Sequence, residues 1–384
     1  MTVLCHRVYS GLEIYFNKMK KKLNIAVSGI GNRALPKGIQ TSNWLGWVEL
    51  IHRSDEFELV AAHDPSAESI QRMVERGYLK PEQNFTDLTR MLTNVPCDAL
   101  LVCNPVQYHA STIRQAIDHD LHLLVEKPFT DDLQEGRELV SLIQRKKLTA
   151  CVVQNWRNKD VGRLMHQHIQ DGQLGKIGHI FFRYVRDREN PKLPPYIFQE
   201  KFPLLYAMGI HHLDLFRYIL NDEIISVQGQ SFKPDWSLYE SDTGLNLFLK
   251  TKRGTSIIYS GTISSPNKVI SQESLIVEGE KGTLINESQW SEPPLWYYPK
   301  GIVDRIELTK HIKGQDRETT EQYNRSDRNI LRNFSQSILG KEEPVCRAED
   351  ALKSIEVLEA SRRACETGEV VYLDTTPELQ LENS

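Results

Sequence analysis

The chain has 384 residues, enough for two domains of ordinary size. Hydrophobic residues make up 40% and charged residues 26%, and 47 Lys plus Arg against 51 Asp plus Glu leave a net charge of −4. That balance supplies no basic field for nucleic acid or an anionic membrane, and no apolar run approaches the roughly 18 residues of a spanning helix. The first 20 residues lack the basic start, apolar block and small-residue cleavage site of a secretory signal, and are expected to form a loose extension. Six cysteines are scattered with no C-x-x-C pair, so reduced thiols, no metal site and a cytoplasmic location are expected.

From residue 21 to about 155 short apolar strands alternate with helical segments. LNIAVSG (23–29), FELVAAHD (57–64), DALLVCN (98–104), LHLLVEK (121–127) and LTACVVQ (148–154) are nearly continuous in apolarity, as strands covered on both faces are. Between them lie SAESIQRMVERG, HASTIRQAIDHD and DLQEGRELVSLIQRKK. The alternation predicts an α/β fold, a doubly wound parallel sheet of Rossmann type. From 156 to 384 the rhythm changes. GHIFFRYVR, ISVQGQSF, GLNLFLKT, GTSIIYSGT, SLIVEGE and KGTLINE are strands separated by hairpin turns such as KTKRGT and EGEKGT. They predict an α+β domain with a large, mostly antiparallel open sheet, one face covered by helices. SEPPLWYYPKG (291–301) reads as a loop, and a last helix at about 348–367, ending at Gly368, packs back on the core.

Strand LNIAVS runs into Gly29-Ile30-Gly31-Asn32-Arg33-Ala34, a G-x-G-x-x-A loop. The first glycine permits the tight turn, the second lets a pyrophosphate approach the backbone, and the small last residue allows close packing. Free N–H groups at the start of the following helix would then face the phosphates. The second strand ends in Asp64, whose carboxylate suits the hydroxyls of an adenosine ribose and would repel a 2′-phosphate; Pro65-Ser66 offer no cation. NAD is therefore favoured over NADP. The competing account makes Asp64 a helix cap. Asp64 also follows Gly29 by 35 positions (64 − 29) against roughly 20 in the usual fingerprint, which places an insertion, ALPKGIQTSNWLG, before the helix WVELIHRS.

DALLVCNPVQYHASTIRQAIDHDLHLLVEKPF, QNWRNKDVGRLMHQHIQDGQLGKIG, MGIHHLDLFRYIL and AEDALKSIEVLEASRRACETGEVVYL together resemble the glucose–fructose oxidoreductase / inositol dehydrogenase / MocA family, from Leu23 to Leu373. The resemblance implies an NAD- or NADP-dependent oxidoreductase acting on a carbinol of a sugar, polyol or sugar derivative, with homodimer or homotetramer contacts through the open sheet. It places Asn104, Pro105 and His109 along the cofactor, although a helix-start histidine with no ligand competes for His109. Glu126 would touch the cofactor or orient Lys127. Lys127, in Glu126-Lys127-Pro128 at the carboxyl edge of the sheet, would bind the reacting oxygen, with Pro128 cis. Arg157 matches the family's arginine after strand six and is assigned to the substrate.

In Leu205-Tyr206-Ala207-Met208-Gly209-Ile210-His211-His212-Leu213-Asp214 the family's D-x-G-x-H becomes Ala207-x-Gly209-x-His211. A carboxylate that holds the reacting hydroxyl in typical members is missing. His211, with an ordinary pKa near neutrality, suits taking a proton from an alcohol. Asp214, one helical turn on, either contacts the substrate and orients the imidazole or pairs elsewhere. Arg183, Tyr184 and Arg186 either line the cleft, implying a phosphate or carboxylate on the substrate, or alternate outward as a solvated face. The leading expectation is an NAD-dependent sugar or polyol dehydrogenase. Two alternatives stand beside it: an NAD-using glycosidase of the same family, and a catalytically silent sugar- or NAD-binding regulatory protein.

Overall fold

The structure, a computed structural model, describes residues 22–36, 44–266, 273–288, 292–314 and 319–373. The expected N-terminal extension lies outside the described residues.

Six strands form the first sheet: β1 (Leu23–Ser28), β2 (Phe57–His63), β3 (Asn84–Phe85), β4 (Ala99–Val102), β5 (His122–Val125) and β6 (Ala150–Val152). All pair in parallel in the order β3-β2-β1-β4-β5-β6, the doubly wound arrangement the alternation predicts. β4 is buried at every position and β1 at its last four, because helices cover both faces. Those helices begin where polar side chains satisfy their first amides. Ser66 caps α2 (Ala67–Glu75), Asp87 caps α3 (Leu88–Asn94) and Asp132 caps α5 (Leu133–Arg145). The short α1 (Trp47–His52) and α4 (His109–Asp118) complete the layer.

The phosphate loop does not lead directly into α1. Residues 31–35 make one turn, with Leu35 N donating to Gly31 O at 2.8 Å. The chain then leaves and returns at Gly46, where Trp47 N donates to Arg33 O (3.2 Å) and Val48 N to Ala34 O (3.1 Å). Trp47 thus stands where the fourth residue after Arg33 would, and the excursion accounts for the long spacing from Gly29 to Asp64. A Cβ on Gly46 would lie 2.5 Å from Ala34 O, so only glycine allows this rejoining.

α6 (Asp160–Gln170) leads into the second sheet. Its strands β7 (Ile177–Val185), β8 (Ile224–Phe232), β9 (Gly244–Thr251), β10 (Ser256–Thr262), β11 (Glu273–Gly279), β12 (Gly282–Ser288), β13 (Leu295–Pro299), β14 (Ile306–Glu307) and β15 (Val371–Tyr372) run in the order β14-β13-β12-β11-β7-β10-β9-β8-β15. Every pair is antiparallel except β7 with β10. The segment read as a loop contains β13: Leu295-Trp296-Tyr297-Tyr298 pair with β12, because bulky aromatic residues suit a pleated surface more than the flanking prolines oppose it.

α7 (Ile210–Leu220) and α9 (Ala348–Thr367) cover the inner face of this sheet, where Phe182 meets Phe216 and Tyr259 with ring centroids 5.4 and 5.3 Å apart. One apolar core runs from the first sheet through α9 to the second. A separate core on the other face of the first sheet is closed by α8 (Thr319–Ile338), which buries Ile330, Leu331 and Phe334 there.

Candidate active site

The loop after β1 sits against the start of the β4–α4 connection. Gly29 has φ +95°, and a Cβ there would lie 2.3 Å from Asn104 N. Gly31 has open space where its Cβ would project, room for a diphosphate to approach the backbone. Asp64, at the end of β2, lies against this loop: its Oδ2 accepts from Ile30 N at 2.7 Å and its Oδ1 from Ser66 N at 2.9 Å. The cap of α2 is Ser66, so the capping account of Asp64 falls. Asn104 donates to Thr112 Oγ1 at 2.7 Å, while its buried Oδ1 has no partner. Pro105 precedes the short turn Val106–Tyr108. An open glycine, an unpartnered amide oxygen and an acid at the end of β2 fit a dinucleotide along this edge.

Two of the expected cofactor contacts are otherwise engaged. His109 is buried, with Nδ1 2.9 Å from Pro128 O and Nε2 2.9 Å from Asn104 O, so its ring ties the two strand-end loops together and has no edge left for a ligand. The Arg33 guanidinium pairs with Glu126 (2.6 Å) and with Asp327 of α8 (2.8 Å), between the rings of Trp44 and Trp47. Nη2 of the guanidinium is buried and has no hydrogen-bond partner among the described residues. Glu126 accepts from Arg33, from Trp47 Nε1 (2.7 Å) and from Lys127 N (3.2 Å).

Lys127 stands at the end of β5, before a cis peptide to Pro128. Its Nζ donates to Ala207 O at 3.0 Å. Burial, reinforced by the charges of Arg188 and Arg33 and opposed by Glu126, pushes its pKa down to about 8. Ala207 lies in a single π-helical turn, Leu205–Gly209, that runs into α7. Such turns re-aim side chains and recur at functional sites. Where the family carries a carboxylate, this chain therefore offers a backbone carbonyl.

His211, on the first turn of α7, is buried four residues after Ala207, whose carbonyl accepts from Lys127. Its Nδ1 lies 2.9 Å from Gln154 Oε1 at the end of β6, and the Trp156 ring stacks parallel to it, 6.1 Å between centroids. An amide oxygen only accepts, so Nδ1 carries the proton and Nε2 keeps its lone pair. Burial, then the neighbouring Lys127, pulls the His211 pKa well below its ordinary value. His212 points into the aromatic core, its Nδ1 2.7 Å from Tyr259 Oη.

Arg157 and Asp214, both assigned to the substrate from the sequence, are engaged with each other. Arg157 Nε and Nη2 each donate to Asp214 at 2.7 Å, Nη1 donates to Val345 O, and Ser354 Oγ of α9 donates to Asp214 Oδ1. Both side chains are buried, and this forked pair links the segment after β6 to α7 and α9. On β7 the residues alternate: Arg183 faces outward in register with Ser260 and Ser274 and Tyr184 turns inward; just beyond the strand, Arg186 pairs with Glu273 at 3.2 Å.

Gln154, Trp156 and Lys159 also belong to this edge and stand outside the sequence-predicted site. Lys159 is buried against the rings of Trp156 (4.9 Å) and Tyr323 (4.4 Å), and burial lowers its pKa to about 8. The polar run QNWRNKD directly after β6, at the carboxyl edge of the sheet, was the available signal. Among the described residues no His, Cys, Asp or Glu side chains group as metal ligands, and no helix is long and apolar enough to cross a membrane.

Residues 24–154 match the model of an oxidoreductase family, NAD-binding Rossmann fold, and residues 166–373 match its C-terminal alpha/beta domain. The first alignments to curated proteins span 51–72% of those proteins. A 1,5-anhydro-D-fructose reductase of Ensifer adhaerens is 22% identical over 86% of this chain and 95% of its own. An oxidoreductase from Agrobacterium radiobacter, solved with NAD+, L-tartaric acid and magnesium, superimposes with TM-score 0.79 at 16% identity, covering 92% of this chain and 98% of that one. An inositol dehydrogenase homologue from Azotobacter vinelandii, with NADH and myo-inositol, gives 0.75 at 15% identity over 92% and 98%. Both domains are matched over their cores, and the chain belongs to the Gfo/Idh/MocA oxidoreductase family.

Proposed function

We propose that this protein is an NAD-linked dehydrogenase that oxidises or reduces a carbinol of a sugar, polyol or sugar derivative. The observation that carries the reading is the convergence of Lys127 and His211. The lysine reaches across to Ala207 O, four residues before the histidine, on the carboxyl edge of a sheet whose first loop is built for a dinucleotide. Gly29, Ile30, Gly31, Asn32 and the backbone of Arg33 would hold the diphosphate, Asp64 the adenosine ribose, and Asn104 and Pro105 the nicotinamide side. Bound there, the dinucleotide supplies a hydride acceptor or donor.

In oxidation the carbinol oxygen meets the Lys127 ammonium, which leaves Ala207 O to donate to it and stabilises the developing negative charge. With a pKa of about 8, Lys127 is protonated about ten to one at pH 7. The hydroxyl proton passes to His211 Nε2, whose lone pair is free because Gln154 holds the proton on Nδ1. In reduction the same groups act in reverse. The assembled pair, with both pKa values displaced toward neutral forms, favours turnover over a silent regulatory role. A screen of polyols and aldoses with NAD, read as NADH formation, tests the reading; glycosidase turnover without net NADH would replace it.

Asp64 supports NAD over NADP. Its two oxygens are tied to Ile30 N and Ser66 N, so the carboxylate stays at the ribose position and repels a 2′-phosphate. NAD is expected to bind more tightly by fluorescence titration, and Asp64→Ala to narrow the gap. Equal affinity in the unaltered protein would refute the assignment.

A further inference from the structure

One residue after His211 on α7, His212 stands at the centre of a group of packed rings. Its imidazole lies 4.8 Å from the Trp156 ring, 4.6 Å from Tyr184 and 4.8 Å from Phe182, measured between centroids. Trp156 comes from the segment after β6, where it also stacks on His211, and Tyr184 comes from the inward face of β7. His212, Trp156 and Tyr184 are each at most 1% exposed. Each nonetheless carries a polar atom with no hydrogen-bond partner among the described residues: His212 Nε2, Trp156 Nε1 and Tyr184 Oη. Buried polar atoms are nearly always paired, so three unpaired ones on touching rings beside His211 call for an occupant.

The hydrogens say what that occupant is. Tyr259 Oη lies 2.7 Å from His212 Nδ1, and its proton has no other acceptor among the described residues, so the phenol donates and His212 carries its own proton on Nε2. An indole N–H only donates, and a phenol donates or accepts. Burial holds His212 below and Tyr184 above their ordinary pKa values, so both stay neutral. An aliphatic hydroxyl completes the set. Its oxygen accepts from Trp156 Nε1 and His212 Nε2, and its hydrogen goes to Tyr184 Oη.

We propose that Trp156, Tyr184 and His212 form a specificity site for one further hydroxyl of the sugar or polyol whose carbinol meets Lys127 and His211. The group taken there is an uncharged hydroxyl, not a carboxylate or phosphate. This rests on the dehydrogenase reading above and adds a second recognised hydroxyl to it.

The test uses the full chain, NAD and whichever of D-glucose, D-galactose and myo-inositol gives NADH, beside its mono-deoxy analogues. Loss of the bound hydroxyl should lower kcat/KM by about tenfold or more for one analogue, chiefly through KM, because three buried polar groups then lose their partner. In Tyr184→Phe and in Trp156→Phe the gap between the parent and that analogue should shrink to about threefold or less, a coupling that lost packing alone does not produce. Equal rates for the parent and every deoxy analogue, or a gap that persists in either variant, would mean that only buried water sits there; that overturns the inference and leaves the dehydrogenase reading intact. A preference of about tenfold for D-glucuronate or glucose 6-phosphate over D-glucose also overturns it, since the buried ammonium of Lys159, 4.9 Å from the Trp156 ring, would then be the selecting group. If no sugar is turned over, it is the dehydrogenase reading that fails. Thermal stabilisation by NAD plus D-glucose over NAD alone, lost in Tyr184→Phe, then still supports the site, and a shift that is absent or unchanged overturns it.

Discussion

Gln154 decides which nitrogen of His211 is free. Its Oε1 lies 2.9 Å from Nδ1 in a buried setting, so the proton stays on Nδ1 and Nε2 keeps its lone pair, as the proposed role of a base requires. Replacing it by Leu releases that constraint, and kcat should fall by about tenfold or more with little change in NAD affinity. Replacing it by Glu puts a charge beside the ring and raises its pKa, so the acidic limb of the pH–rate profile should move to higher pH; an unmoved limb in an active Gln154→Glu variant would show that the contact is only packing. On the proposed mechanism, oxidation by the unaltered protein needs neutral His211 and charged Lys127. The histidine is held below its ordinary pKa and stays neutral under mildly acidic conditions, whereas the ammonium is lost as pH rises through about 8. kcat/KM should therefore hold through neutrality and decline above about pH 8. Lys127→Ala should remove that decline together with about 10²-fold or more of kcat, and Lys127→Arg should not restore it, since a guanidinium does not reproduce a compact ammonium. Lys127 and His211 are legible in the sequence because each sits in a motif of fixed spacing. Gln154 is not, because no spacing tells which strand-end side chain turns toward an imidazole.

At the scale of elements, the segment after β6, α7 and α9 are fastened by one buried charge pair, Arg157 with Asp214, to which Ser354 adds a hydrogen bond. Asp214→Ala would leave a buried guanidinium without its counter-ion, which costs about 3–5 kcal/mol. Urea unfolding should show that loss, and Arg157→Met with Asp214→Leu should recover much of it. If Asp214 instead touched the substrate, Asp214→Ala would keep its midpoint and raise KM. The sequence places these residues 57 positions apart, and periodicity carries no sign of the pairing, so each looked like a cleft residue. α8 was missed for a related reason. TTEQYNRSDRNILRNFSQSI is mostly polar, and the burial of Ile330, Leu331 and Phe334 against the first sheet is a tertiary event. The longer strands of both sheets, other than β13, are legible because continuous apolarity marks burial on two faces and alternation marks burial on one. β13 escaped because prolines and a glycine flank it.

At the scale of the whole molecule, the second sheet has helices on one face and side chains in register on the other. Phe248, Ile258, Phe181, Ile276, Ile285 and Trp296 lie directly opposite one another along a row across β9, β10, β7, β11, β12 and β13. The rows on either side are polar: Asn246, Ser260, Arg183, Ser274 and Glu287 on one, Lys250, Ser256, His179, Glu278 and Thr283 on the other. An apolar stripe rimmed by polar residues has the pattern of an interface rather than of a solvated surface. Both edge strands, β14 and β15, are only two residues long, so pairing along the edges offers little and the face is the available surface. A second copy related by a two-fold axis would bring the stripe onto itself. Light scattering at micromolar concentration should therefore give a dimer or tetramer. Ile276→Glu, in the middle of the stripe and on the face opposite the helices, should shift the population toward monomer while the circular dichroism of the fold is kept. A monomeric unaltered protein, or an Ile276→Glu variant with an unchanged mass, would place the interface elsewhere.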